Sequence, residues 1–220
     1  MSAESAITER KCGSYCRCRS FLAVVRMPLS PPVSPRALKH TRTLTVEAYA
    51  RDDGLWDIEA RITDIKTRIV KLASGERSAG APIHDLKLRL SINRDLDILA
   101  VEAVSDAVPY PGYCDTISPA YQAMVGLNLM RSFRQQLTAR IGGIAGCTHL
   151  TELAQILPTA TIQAFAGDVI DTRDGSSAGG EQQQKPFQLD RCHALRTDGA
   201  AVALYYPRWA VKVAEPFQSS

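Results

Sequence analysis

Thr43-Leu-Thr-Val-Glu-Ala-Tyr-Ala-Arg-Asp-Asp-Gly-Leu-Trp-Asp-Ile-Glu-Ala-Arg-Ile-Thr63 is the stretch that decides the fold. Leu44, Val46 and Ala48 alternate with polar positions, Arg51-Asp-Asp-Gly54 reads as a turn, and Trp56, Ile58, Ala60 and Ile62 alternate with Asp57, Glu59, Arg61 and Thr63. Successive strand side chains point to opposite faces, so period two with one apolar and one charged face marks antiparallel strands covered on one side. Residues 73–82 read as a Gly/Ser/Ala-rich loop. Leu86, Leu88, Leu90 and Ile92 then alternate with Lys87, Arg89, Ser91 and Asn93, Asn93-Arg-Asp95 turns the chain, and a return strand is expected over about 98–105. Hairpins joined by short turns make a β-meander.

Downstream the period changes. Ser118-Pro119 places a proline at a helix start with Ser118 as its N-cap. Met124, Leu127, Met130, Leu137 and Ile141 lie near helical spacing, which predicts a helix to about Arg140 that stops at Gly142-Gly143. A second helix is expected from near Cys147 to about Ala166, kinked or split at Pro158. Strands first and helices after predict an α+β domain, an antiparallel meander followed by two long helices packed on one face. Residues 1–42 are expected to be a disordered or extended N-terminal extension, 43–170 the core, 171–184 a flexible linker, and 185–220 a segment that packs back on the core.

A chain of 220 residues suffices for one sizeable core. No apolar run approaches the ~18 residues of a transmembrane helix, so no membrane partner is expected. The net charge of +3 resides in residues 1–26, which carry five positive and two negative side chains, leaving a neutral body. A neutral body offers little to a phosphate backbone, and nucleic acid is not an expected partner. The first 26 residues admit three readings: a metal knot of Cys12, Cys16 and Cys18, a secretory signal with a short apolar stretch at Phe21–Val25, or an extension ahead of a start at Met27. The last is preferred. Three cysteines in the body, an odd number, favour reduced thiols and a cytoplasmic location over a disulfide frame. Oligomeric state is not legible.

Beyond residue 43 the ligand-type side chains gather at four points: His84, Cys114, Cys147 with His149, and Cys192 with His193. His84-Asp85 ends a Gly/Pro-rich loop and opens a strand, where scaffold-held ligands are common. Alone, it reads first as a surface histidine beside a solvated acid. Cys114 and Cys147 each precede an expected helix, where the helix dipole favours a thiolate, although buried structural thiols are common too. If both helices descend from one sheet edge, His84, Cys114, Cys147 and His149 make a His2Cys2 set suited to Zn or Fe. Cys192 and His193 would cap such a site, support its ligands from behind, or simply anchor the tail. Tyr110, Tyr113 and Trp209 read as core packing before they read as a pocket.

Arg51-Asp-Asp-Gly-Leu-Trp-Asp-Ile-Glu-Ala60, Pro82-Ile-His-Asp85, Ala107-Val-Pro-Tyr-Pro-Gly-Tyr-Cys114, Ala145-Gly-Cys-Thr-His-Leu-Thr-Glu-Leu153 and Lys185-Pro-Phe-Gln-Leu-Asp-Arg-Cys-His193 together resemble a bacterial domain-of-unknown-function family, over about Met27 to Trp209. The resemblance implies Met27 as the natural start and brings no activity with it. The order of strand entry, hairpin, cysteine, helix and second cysteine is more distantly similar to the NifU-like iron–sulfur scaffold. There a cysteine followed by Gly-Asp opens a strand. His84-Asp85 stands at that place with histidine for cysteine and the glycine missing, while Cys114 and Cys147 match the middle and last cysteines. The histidine of the last motif, however, follows Cys147 by two residues instead of preceding it. This resemblance implies a metal or cluster site and a NifU-like arrangement.

Three functions follow as expectations. The first is a domain binding Zn, Fe or a small cluster through His84, Cys114, Cys147 and His149, with Asp85 as a further ligand or general base and metal-activated water for hydrolysis. The second is a metal-free esterase or thioesterase acting on a small-molecule acyl substrate, with Cys114 or Cys147 as nucleophile and His84 or His149 with Asp85 as base. In a variant, His84 and Asp85 activate water directly. The third is a non-catalytic interaction module with buried cysteines.

Overall fold

Eleven residues of alternating polarity followed by a tight turn and eleven more give the first hairpin. In the computed structural model β1 spans His40–Ala50 and β2 Trp56–Lys66. A small hairpin, β3 Val70–Leu72 with β4 Gly75–Arg77, follows, then β5 Pro82–Ile92 and β6 Ile98–Ala107. The described residues are 29–170, 172 and 185–211. The Cys12/Cys16/Cys18 readings, Met27 and the expected linker (Thr172 excepted) lie outside them. Residues 29–37 contain no helix or strand and belong to a unit of their own, and Leu38 onward forms the other.

The long strands make one antiparallel sheet in the order β1-β2-β5-β6. Gly54 closes the first turn at φ +84°, a conformation open to glycine at no steric cost. The sheet starts at His40, three residues ahead of the expected core boundary, because His40 and Arg42 already pair with β2. The stretch expected as a loop at 73–82 contains β4.

One face of the sheet is apolar. Ile58, Ala60 and Ile62 of β2 and Leu86, Leu88, Leu90 and Ile92 of β5 are buried there. Above them lies α2, Thr148–Phe165, presenting Leu150, Leu153, Ala154, Leu157 and Phe165. The Trp56 and Phe165 rings meet at 4.9 Å between centroids, so the end of α2 sits over the start of β2. From Trp56 to Asp64 a strand covers roughly 26 Å, and from Phe165 back to His149 a helix covers roughly 24 Å. The N-terminus of α2 therefore reaches the far end of β2. Lengths matched in this way place Asp64 beneath His149.

The helix expected over 118–140 is interrupted. Cys114–Met124 is 3-10 helix, and α1 spans only Phe133–Ile141. Between them the backbone pairs with the β5–β6 turn: Gly126 N–H donates to Ile98 O, Ile98 N–H to Leu127 O and Leu129 N–H to Leu96 O. Asn128 fastens the contact, its Nδ2 donating to Asp95 O and Asp97 Oδ1, both at 2.7 Å. Polar pairing to a neighbouring turn here outcompetes helix propagation. Pro158, expected to kink or split α2, is buried inside an unbroken helix. Farther along, α3 is Ala200–Tyr205, with Leu189 and Val202 buried. Among the described residues no helix is long and apolar enough to cross a membrane.

Candidate functional site

Register builds the centre. Arg42 of β1 lies opposite Asp64 of β2, and Asp64 opposite His84 of β5, one row beyond the apolar row Leu44–Ile62–Leu86 on the same face. The β2–β5 ladder shifts register just after Asp64, an irregularity of the kind that re-aims side chains beside functional sites.

Asp64 is 3% exposed and carries the contacts of the whole centre. Its Oδ1 accepts from Arg42 Nε at 2.9 Å and bonds His40 Nε2 at 2.7 Å. Its Oδ2 accepts from Arg42 Nη2 at 2.9 Å and bonds His84 Nδ1 at 3.0 Å. His149 Nε2 stands 3.8 Å from the same oxygen. Arg42 also reaches Glu152 on the first turns of α2 at 2.7 Å. Burial pushes the Asp64 carboxyl up, but the hydrogen bonds of Arg42 and His40, with the Arg42 and His84 charges, outweigh it and hold the group at about 2. Burial lowers His84 and His149, and the Arg42 charge adds to the effect on each. Both imidazoles are therefore neutral near pH 7, with a lone pair free to accept a proton.

The first turn of α2 supplies the second half. Cys147 is its N-cap, with Sγ 3.9 Å from Nδ1 of His149. Tyr121, fully buried, accepts from Cys147 N–H at 3.0 Å, and its hydroxyl lies 2.9 Å from both Cys147 O and Thr151 Oγ1. Gly146 lets the chain turn into this position, since a Cβ there would collide with the carbonyl oxygen of Ile141. Among the described residues the amides of Thr148, His149 and Leu150 donate to no protein acceptor, as the first turn of a helix dictates.

The expected residues divide. His84 and His149 meet, their rings 3.8 Å apart between centroids and tilted by 31°. Asp85 does not join them. The period of two turns it to the opposite face, where it accepts from Arg61 at 2.7 and 2.6 Å, so the carboxylate beside His84 is Asp64. Cys114 opens the 3-10 helix and packs on the hydrophobic core, outside the Asp64/His84/His149 group. Cys192 and His193 are exposed and also lie outside it, with Cys192 on a cavity beside the C-terminal half of α2. His40, Arg42, Asp64 and Tyr121 belong to the site without being among the residues expected from sequence. The first three were detectable as charged or polar side chains continuing the apolar face of β1 and β2 past Leu44 and Ile62.

Asp64, His84 and His149 present donor atoms all within 4.8 Å of one another, a donor set suited in type to Zn or Fe. The arrangement itself does not fit an ion. The Arg42 fork occupies both carboxylate oxygens. Two stacked rings cannot both aim in-plane lone pairs at one ion about 2 Å from each nitrogen.

No curated protein and no solved structure matches the chain, and the NifU-like resemblance finds no counterpart among them. A family described as a protein of unknown function (DUF2889) matches residues 40–163, the sheet and nearly all of α2 together with every residue of the centre. With more than half its length matched, the chain belongs to the DUF2889 family.

Proposed function

We propose that this protein is a metal-free acyl hydrolase in which Cys147 is the nucleophile, His149 its base, and Asp64 the carboxylate behind the base. One observation carries the reading: a thiol at a helix N-cap 3.9 Å from His149 Nδ1, with the other nitrogen of that ring 3.8 Å from a buried carboxylate. Nδ1 then accepts the thiol proton while Nε2–H faces Asp64. Both spacings exceed a tight hydrogen bond, as is common for such pairs before substrate closes them.

The reaction is written for an ester or thioester. Cys147 sulfur attacks the carbonyl carbon and a C–S bond forms, with the thiol proton moving to His149 Nδ1. The oxyanion is met by the first-turn amides of α2. Collapse breaks the bond to the leaving group, which takes the proton from His149. Water, losing a proton to the same nitrogen, then hydrolyses the acyl-cysteine to acid and free thiol. His84, bound to Asp64, packs its ring on His149 and keeps that ring in place. The test is p-nitrophenyl acetate turnover: Cys147→Ala is expected to abolish it and Cys114→Ala to leave it, and equal loss in both variants rejects the assignment.

A second reading places Zn or Fe at Asp64, His84 and His149 and rests on the proximity of their donors. It requires Arg42 to release Asp64 and one ring to turn. Elemental analysis separates the two: about one equivalent of metal, lost in His84→Ala, favours this reading, and metal-free protein that still turns over ester excludes it.

A further inference from the structure

The Cys192 motif does not join the Asp64 centre, and it lines a cavity instead. Between α1, the C-terminal half of α2 and the segment after Lys185 lies a hollow of about 730 Å³, within the range of small-molecule sites. Phe133, Pro158, Ile162, Phe187 and Leu195 form its apolar walls. Charged lining is one-sided: Arg134 and Arg191 are present, and among the described residues of the lining there is no acid. Neither guanidinium forms an ion pair among the described residues, and Arg134 Nη2 donates only to the backbone oxygen of Gln155, at 3.1 Å.

An apolar hollow bordered by two cations, with no counter-charge among the described residues, is complementary to one chemical class, an anion on an apolar body. We propose that this cavity binds an amphipathic carboxylate, its hydrocarbon part against Phe133 and Ile162 and its carboxylate toward Arg134 and Arg191. Arginine forks match carboxylate geometry, and removing the ligand's charge forfeits the stronger, charge-assisted part of the interaction. The site is separate from the Cys147 centre. Pro158 and Ile162 lie roughly 14 and 20 Å beyond His149 along the helix axis. The proposal accordingly stands or falls apart from the acyl-hydrolase reading.

Decanoate is the probe, with decylammonium as its partner of equal chain length and opposite charge. Calorimetry on the full chain is expected to give one decanoate site, with decylammonium about tenfold weaker or more. The double variant Arg134→Ala/Arg191→Ala, whose changes are on exposed side chains, should lose about tenfold in decanoate affinity. Ile162→Trp, which fills the hollow, should remove binding altogether. Cys192 supplies an independent readout, because bound decanoate should slow its alkylation by iodoacetamide, followed by peptide mass mapping, while alkylation of Cys147 stays unchanged. Equal affinity for the two amphiphiles, binding untouched by the arginine substitutions, or no protection of Cys192 would each overturn the proposal.

Discussion

Tyr121 grips Cys147 by its backbone, with the phenol oxygen 3.0 Å from the cysteine nitrogen and 2.9 Å from its carbonyl oxygen. A fully buried hydroxyl thus ties the 3-10 helix to the N-cap of α2 and fixes where the thiol points. Tyr121→Phe keeps the ring and strands the Cys147 amide. A loss of about 1–3 kcal/mol in urea unfolding is expected, the cost of an unsatisfied buried donor. Cys147 should also alkylate more slowly at temperatures where the variant is fully folded, which a purely structural role for Tyr121 would not produce.

Acid stability reads the Asp64 network. The folded carboxyl sits at about 2 against an ordinary 3.8, so its contribution is complete above pH 3.8 and is lost as pH falls through about 2. The shift corresponds to about 2 kcal/mol. Asp64→Asn should be less stable than wild type at pH 7, because Arg42 and His40 lose their partner. It should also show a flatter stability profile between pH 4 and 2 in chemical denaturation.

The histidines act in a higher window with their own sign. Burial lowers both His84 and His149 below 6.5, so the unfolded chain binds more protons just below that value. Stability from these groups is complete above pH 6.5 and declines as pH falls through their folded values. Ester turnover needs neutral His149, so its acid limb should lie below pH 6.5. A limb centred above 6.5 would contradict the assignment of His149 as base.

Asp85 provides the control. Asp85 is itself buried, its Arg61 partner is half exposed and both face away from α2, so the pair belongs to the fold and not to the Asp64 centre. Asp85→Asn is expected to keep ester turnover within about twofold of wild type while costing stability, because Arg61 loses a bidentate partner. A large drop in turnover would return the carboxylate role to Asp85.

The meander was legible because Trp56, Ile58, Ala60 and Ile62 carry the period of two without interruption, and the same regularity explains the reading that missed Asp64. Asp64 is the next inward position, and a charge at the end of an apolar row looks like the end of the strand. His40 precedes the alternating pattern and its partner lies 24 residues downstream, so no local pattern announces it. His84 and Asp85 are adjacent in sequence, yet strand geometry sends them to opposite faces. The interruption of the 118–140 helix depends on Asn128 bonding to Asp95 and Asp97, a tertiary contact that helical spacing cannot report. Cys147 and His149 were legible as a unit because both lie in the first turn of one helix.

The most direct test is to mix the protein with p-nitrophenyl acetate, quench in acid within the first turnover, and map the adduct by peptide mass spectrometry. The acyl-hydrolase account predicts one acetyl group on Cys147, formed about a hundredfold more slowly or worse in His149→Ala. An acetyl group spread over Cys114 and surface lysines, with none favouring Cys147, would contradict it.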